Sequence, residues 1–184
     1  MKPIFTIHAG EFLVGEELER RYPSCEVWIP TRDTGTDLLI SNRRDRSRNA
    51  SIQVKFSKDF LPAKRASLHN GLLACGWWTL PADKIEKSTA EFWILAPYAF
   101  SQRKVSFLII RPADLLGKLK QIHGGKNRYN VYFWVTQDGK CFETRGIGRQ
   151  QENDIADGQY DGVPATRDFS AYLENWTLIE NKIA

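Results

Sequence analysis

The chain has 184 residues, of which 42% are hydrophobic and 26% charged, with a formal net charge of +4 and a pI near 9.0. That balance excludes wholesale disorder, and the length suits a single domain over 1–184. The mildly basic character favours a polyanionic partner without identifying one.

The first element predicted is a helix from His8 to Tyr22, rich in good helix formers and stopped by Pro23. A strand follows at Cys25–Pro30, then a turn-rich segment at 31–36. A second strand starts at Asp37 and runs through Leu38, Leu39 and Ile40. An arginine-laden connection, 41–49, leads to a third strand over Ser51–Ser57. The segment 58–81 has no assignable pattern. Further on, strands are expected at Glu91–Ala96 and Val105–Ile110. A helix opens at Pro112 and ends before Gly124-Gly125. Asp138-Gly139 marks a hairpin between 130–136 and 140–144. A short closing helix is expected over Asp168–Trp176. The class is mixed α/β.

Cys25, Cys75 and Cys141 are scattered, which argues against a disulfide framework and a structural zinc site. His8, His69 and His123 are equally dispersed. The first residues lack the apolar run of a signal peptide, and no stretch reaches the roughly 20 apolar residues that span a bilayer. A cytoplasmic protein with no membrane partner is expected.

The third strand carries the chemistry. Ile52, Val54 and Phe56 share one face, and Gln53 and Lys55 share the other, because strand side chains alternate. Asp37 precedes Gln53 by 16 residues, a gap that suits two short antiparallel strands with Asp37 beside Gln53 and Lys55. A carboxylate and a carbonyl oxygen on neighbouring strands can hold a hard cation such as Mg²⁺, which stabilises charge on a phosphate and generates a nucleophilic water. An adjacent lysine adds positive charge there. On the first helix, Glu11, Val14, Gly15, Leu18 and Tyr22 form one stripe. Glu11 is then an acid facing the sheet, to be satisfied by a metal, by Lys55 or by a proton. Gly15 is expected to let the helix approach closely.

The ordered set Gly10-Glu11-Phe12-Leu13-Val14, Gly35-Thr36-Asp37-Leu38-Leu39 and Gln53-Val54-Lys55 resembles the PD-(D/E)XK nuclease superfamily. The resemblance is to its small bacterial members, which are similar to Holliday-junction resolvases and restriction-endonuclease-like domains. It covers about residues 8–57, with a C-terminal extension over about 126–184. It implies a restriction-endonuclease-like αβββαβ core, a mixed central sheet flanked by helices. It also implies Mg²⁺ or Mn²⁺ held by Glu11, Asp37 and Gln53, with Lys55 as the catalytic lysine and DNA as substrate. A homodimer is compatible with it. The commoner pattern has Asp or Glu where this chain has Gln53, and Thr36 stands where proline is usual; the neutral amide lowers the charge of the site and weakens its hold on a cation.

Arg43 and Arg44 belong to a charged loop tip, and Lys58, Lys64 and Arg65 follow the third strand. These five are candidates for phosphate contacts, against the alternative that loop tips are simply polar. Trp77-Trp78 reads as core or interface packing ahead of base stacking. Asp154, Asp157 and Asp161 lack the spacing of a calcium loop and read as a polar surface loop. Two functions follow: a metal-dependent nuclease, or a nucleic-acid-binding or assembly module on the same fold without turnover. A nuclease of a toxin or defence system that needs a partner is a third.

Overall fold

The computed structural model describes residues 9–31, 35–58, 60, 70–99 and 102–184. Helix α1 spans Ala9–Arg21, with Glu11 in its first turn and Arg20 and Arg21 in its last, matching the helix dipole at both ends. Strands β1 (Cys25–Trp28), β2 (Leu38–Asn42) and β3 (Asn49–Lys58) form an antiparallel meander. β5 (Phe92–Ala99) then pairs parallel to β3, and the short β6 (Lys104–Val105) and β7 (Leu108–Ile110) pair antiparallel to β5. The result is a six-stranded mixed sheet ordered β1-β2-β3-β5 with β6 and β7 beyond. The strand expected over Val105–Ile110 is thus two pieces.

A second sheet, β4-β8-β9, accounts for the stretch the sequence left open. β4 (Leu72–Pro81) runs antiparallel to β8 (Arg128–Thr136), and β9 (Cys141–Glu143) closes the hairpin over Asp138-Gly139, with Gly139 at φ 82°. Among the described residues the crossover from β3 to β5 carries β4 and a five-residue helix, α2 (Ala82–Glu86). Helix α3 (Pro112–His123) begins at its proline and ends at Gly124, as expected.

The first sheet has a different layer on each face. Val14 and Leu18 of α1 pack with Ile52 and Val54 of β3, Ile94 of β5, and Ile179 and Ile183 of the last helix. On the opposite face Trp93 and Leu95 of β5 meet Leu115 and Leu119 of α3 and Trp78 and Phe133 of the second sheet. Two glycines make these approaches possible. A Cβ on Gly10 would stand 2.4 Å from the Cβ of Phe56, and one on Gly76 would stand 2.1 Å from the Trp78 ring. Gly15, by contrast, has nothing near its Cβ direction, so the close approach of α1 belongs to Gly10.

Two C-terminal expectations are corrected. Residues 168–176 do not form a helix: a 3-10 turn covers Ser170–Tyr172, and α5 follows at Thr177–Ile183. The reason is tertiary. Leu173 bridges Leu108, and Glu174 accepts the Phe107 N–H at 2.9 Å, which lays the segment across β7. Asp154 lies in a helix rather than a loop, α4 (Arg149–Ala156), which buries Ile155 and Ala156 against Cys75 and Trp134. The three cysteines are buried. Among the described residues no helix is long and apolar enough to cross a membrane.

Candidate functional site

Asp37 sits where β2 begins and is buried. Its N–H donates to Ile52 O at 2.8 Å, and its carboxylate Oδ2 accepts the Val54 N–H at 2.8 Å. The register pairs Leu38 with Ile52, so Asp37 stands opposite Gln53. Its side chain thus satisfies the Val54 N–H just beyond the last backbone pair of β2 and β3. Gly35, at φ 88°, adopts the left-handed conformation that turns the chain into the strand.

Gln53 and Lys55 point to the face away from α1, towards the second sheet. They line a cavity of about 830 Å³, together with Gly35, Trp78, Lys84 and Lys87. The Lys55 ammonium lies 5.1 Å from the Trp93 ring centroid, within cation–π range, and its carbonyl accepts the Trp78 indole N–H at 3.0 Å. The cavity wall facing β3 is therefore built by β4 and α2. Three lysines against Asp83 make this lining cationic among its described residues. Lys84 and Lys87 were not singled out from sequence; the signal was the run Asp83-Lys84-Ile85-Glu86-Lys87 after Pro81, whose buried Ile85 marks a helical turn with its lysines outward.

Glu11 is buried and approaches from the other layer, on the stripe that carries Val14 and Leu18. The contact of Gly10 with Phe56 puts it at the same end of β3 as Lys55. Asp37, Gln53 and Lys55 are therefore brought together from neighbouring strands, and Glu11 joins that end of the sheet from across it. Among the described residues no three His, Cys, Asp or Glu side chains are placed to hold a metal ion. The donor set here is smaller in charge: two carboxylates from different layers and one amide.

The nucleic-acid candidates divide. Lys58 is the last residue of β3 and is exposed; it does not line the cavity. Arg43 and Arg44 lie at the hairpin tip, the far end of β2 and β3 from Asp37, and do not line the cavity. Arg43 and Arg46 flank Glu26 at 3.9 and 3.7 Å, and Arg48 lies 3.3 Å from Asp45, so much of this positive charge is answered locally. Lys64 and Arg65, like His8 and His69, lie outside the described residues.

A second group of ionisable side chains gathers where α3, β9 and the turn after Pro164 meet. Glu143 is fully buried, with Arg167 Nη1 donating to its Oε2 at 2.7 Å and the backbone N–H groups of Arg145 and Tyr132 donating to Oε1. His123 Nε2 stands 3.1 Å from the same Oε2, off the line of a hydrogen bond. Burial pushes the Glu143 carboxyl up to about 7, against the pull of those partners. Burial and then the charges of Arg167, Lys126 and Arg145 hold His123 below its usual value.

None of the protein-family models, curated proteins or solved structures compared with the chain matches it.

Proposed function

We propose that the chain is a metal-dependent nuclease of restriction-endonuclease-like architecture that hydrolyses phosphodiester bonds in DNA. One observation carries this reading: a buried carboxylate, Asp37, is fixed opposite Gln53 on the next strand, with Lys55 two residues on and a lysine-lined cavity beside them. Along the first sheet the order α1-β1-β2-β3-α2-β5 supports the architecture, with β4 as an extra strand leaving for a second layer.

The donor chemistry fits Mg²⁺ or Mn²⁺. Such a cation takes oxygen ligands, keeps several waters and needs only one or two carboxylates when substrate phosphate completes its shell. Asp37 would hold it with Gln53 Oε1, and Glu11 would add the second carboxylate; accepting one backbone N–H does not exhaust a carboxylate's acceptor capacity. When bound, the cation supplies Lewis acidity and a more acidic water. Lys55 orients and neutralises the phosphoryl oxygens at the mouth of the cavity, and Lys84 and Lys87 hold the flanking phosphates. Trp78 and Trp93 form a low-dielectric wall that strengthens the Lys55 charge.

The sparse donor set favours a second reading, a nucleic-acid-binding module without turnover. The two separate on one experiment. The purified protein is incubated with supercoiled plasmid, a four-way junction and single-stranded DNA, with Mn²⁺, Mg²⁺ or chelator. The nuclease reading expects metal-dependent cleavage that disappears in Asp37→Asn. An uncut substrate that is nevertheless bound would leave the binding module.

A further inference from the structure

Trp77 and Trp78 are neighbours with opposite fates. Trp78 is buried at 6% exposure, edge-on to Phe133. Trp77 is 43% exposed, on the outer side of β4. Beside it stands Phe60, itself 38% exposed, whose N–H donates to Cys75 O at 2.8 Å and whose ring meets Trp77 edge-to-face at 6.0 Å. The Lys58 ammonium lies 5.5 Å from the Phe60 ring centroid. Tyr132, opposite Trp77 in the sheet register, donates its hydroxyl to the Phe60 carbonyl and so fixes the position of that ring's backbone.

This cluster adjoins the candidate site. The Trp77 N–H donates to Ser57 Oγ at 3.0 Å, and Ser57 lies two residues along β3 from Lys55, on the same face. Flat aromatic surface left open to water, with a cation at its edge, is what unpaired bases need: the ring offers a stacking face and the lysine meets the phosphate. The charge is complementary as well, since the exposed Lys58 sets its ammonium beside this aromatic pair. A duplex keeps its bases inside and cannot use such a face.

We propose that Trp77, with Phe60 and Lys58, is a stacking platform that holds single-stranded nucleic acid next to the Gln53–Lys55 cavity. The proposal takes from the nuclease reading only the fate of the strand at Lys55; binding on the platform stands without it. The test measures fluorescence anisotropy of labelled oligothymidylate and of a duplex of equal length, on the full chain with chelator present. The single strand is expected to bind more tightly than the duplex. Trp77→Ala should weaken single-strand binding by about 5- to 150-fold, the range of one lost base stack, and Trp77→Phe should restore most of it. Lys58→Ala should reduce the dependence of log affinity on log salt by about 0.7.

Unchanged single-strand binding by Trp77→Ala, with an unchanged melting curve, overturns the platform. So does a change in sedimentation on Trp77→Ala without a change in binding, which would make the patch an interface between copies of the chain. The two readings fail separately. Metal-dependent cleavage of single-stranded DNA, with cleavage and binding both indifferent to Trp77→Ala, removes the platform and leaves the nuclease. Trp77-dependent binding without metal-dependent cleavage removes the nuclease and leaves the platform.

Discussion

Asp37 has two duties that substitution can separate. It accepts the Val54 N–H at the point where β2 begins, and it presents its carboxylate next to Gln53. Asp37→Ala leaves that buried N–H without an acceptor, a loss of about 1–3 kcal/mol. Asp37→Asn retains an amide oxygen for Val54 and removes the charge. We expect Asn at this position to melt close to the wild type and to lose metal-dependent cleavage, and Ala to lose both; thermal unfolding and a plasmid nicking assay read the two effects. Lys55→Met keeps the apolar stem against Trp93 and removes the ammonium, so cleavage should fall about 10²–10³-fold with little change in melting temperature. These residues were legible from sequence because strand alternation and a short antiparallel pairing are local: Gln53 and Lys55 had to share a face, and Asp37 lay within reach. Trp77 and Trp78 were not separable in the same way. Alternation says that they point oppositely, but not which side of β4 a second layer covers.

At the scale of elements, the approach of the two sheets depends on Gly76, over which the Trp78 ring folds back to reach the Lys55 carbonyl. Gly76→Ala puts a methyl into that ring and should cost about 1–3 kcal/mol, seen as a lower melting temperature. Because Trp78 walls the cavity, the same variant should also lose cleavage activity below its melting range. The first three strands and α1 were readable from their own periodicity and from Pro23. β4 was not, since Gly76 falls inside it, Gly71 and Pro81 stand at its ends, and its stability comes from pairing with β8, whose partners range from Arg128 for Pro81 to Thr136 for Leu72. α5 was missed for a related reason. Ile179 and Ile183 look unremarkable in a polar tail, yet both are buried against the β3 face that α1 also covers. Ile179→Ala should therefore destabilise the whole first layer by about 2–5 kcal/mol.

At the scale of the whole molecule, Glu143 joins three distant segments, and its ionisation is set by burial. Its carboxyl, raised from 4.5 to about 7, keeps its proton in the folded chain over a range where the unfolded chain has lost it. That contribution to stability is complete below about pH 4.5 and disappears as pH rises through 7. His123, lowered from 6.5, contributes in the opposite sense, gaining stability as pH rises towards 6.5. Above that value His123 no longer opposes the Glu143 slope. Stability should fall between pH 6.5 and 8, by at most about 1.4 kcal/mol per pH unit, and Glu143→Gln should flatten the fall. Melting temperatures at four or five pH values test this, and an equal slope in the variant would remove Glu143 as its cause.

The constellation of Asp37, Gln53 and Lys55, the hairpin at Asp138-Gly139 and the helix that starts at Pro112 follow from short-range rules. Alternation, turn chemistry and proline geometry act over a few residues and leave little for the rest of the chain to alter. The cavity, the exposure of Trp77, the burial of Glu143 and the helix at Thr177–Ile183 depend on which surfaces meet. Those meetings are selected by apolar burial summed over β4, β8 and α5, segments far apart in the chain, and burial is a property of the packed layers rather than of any local run of residues.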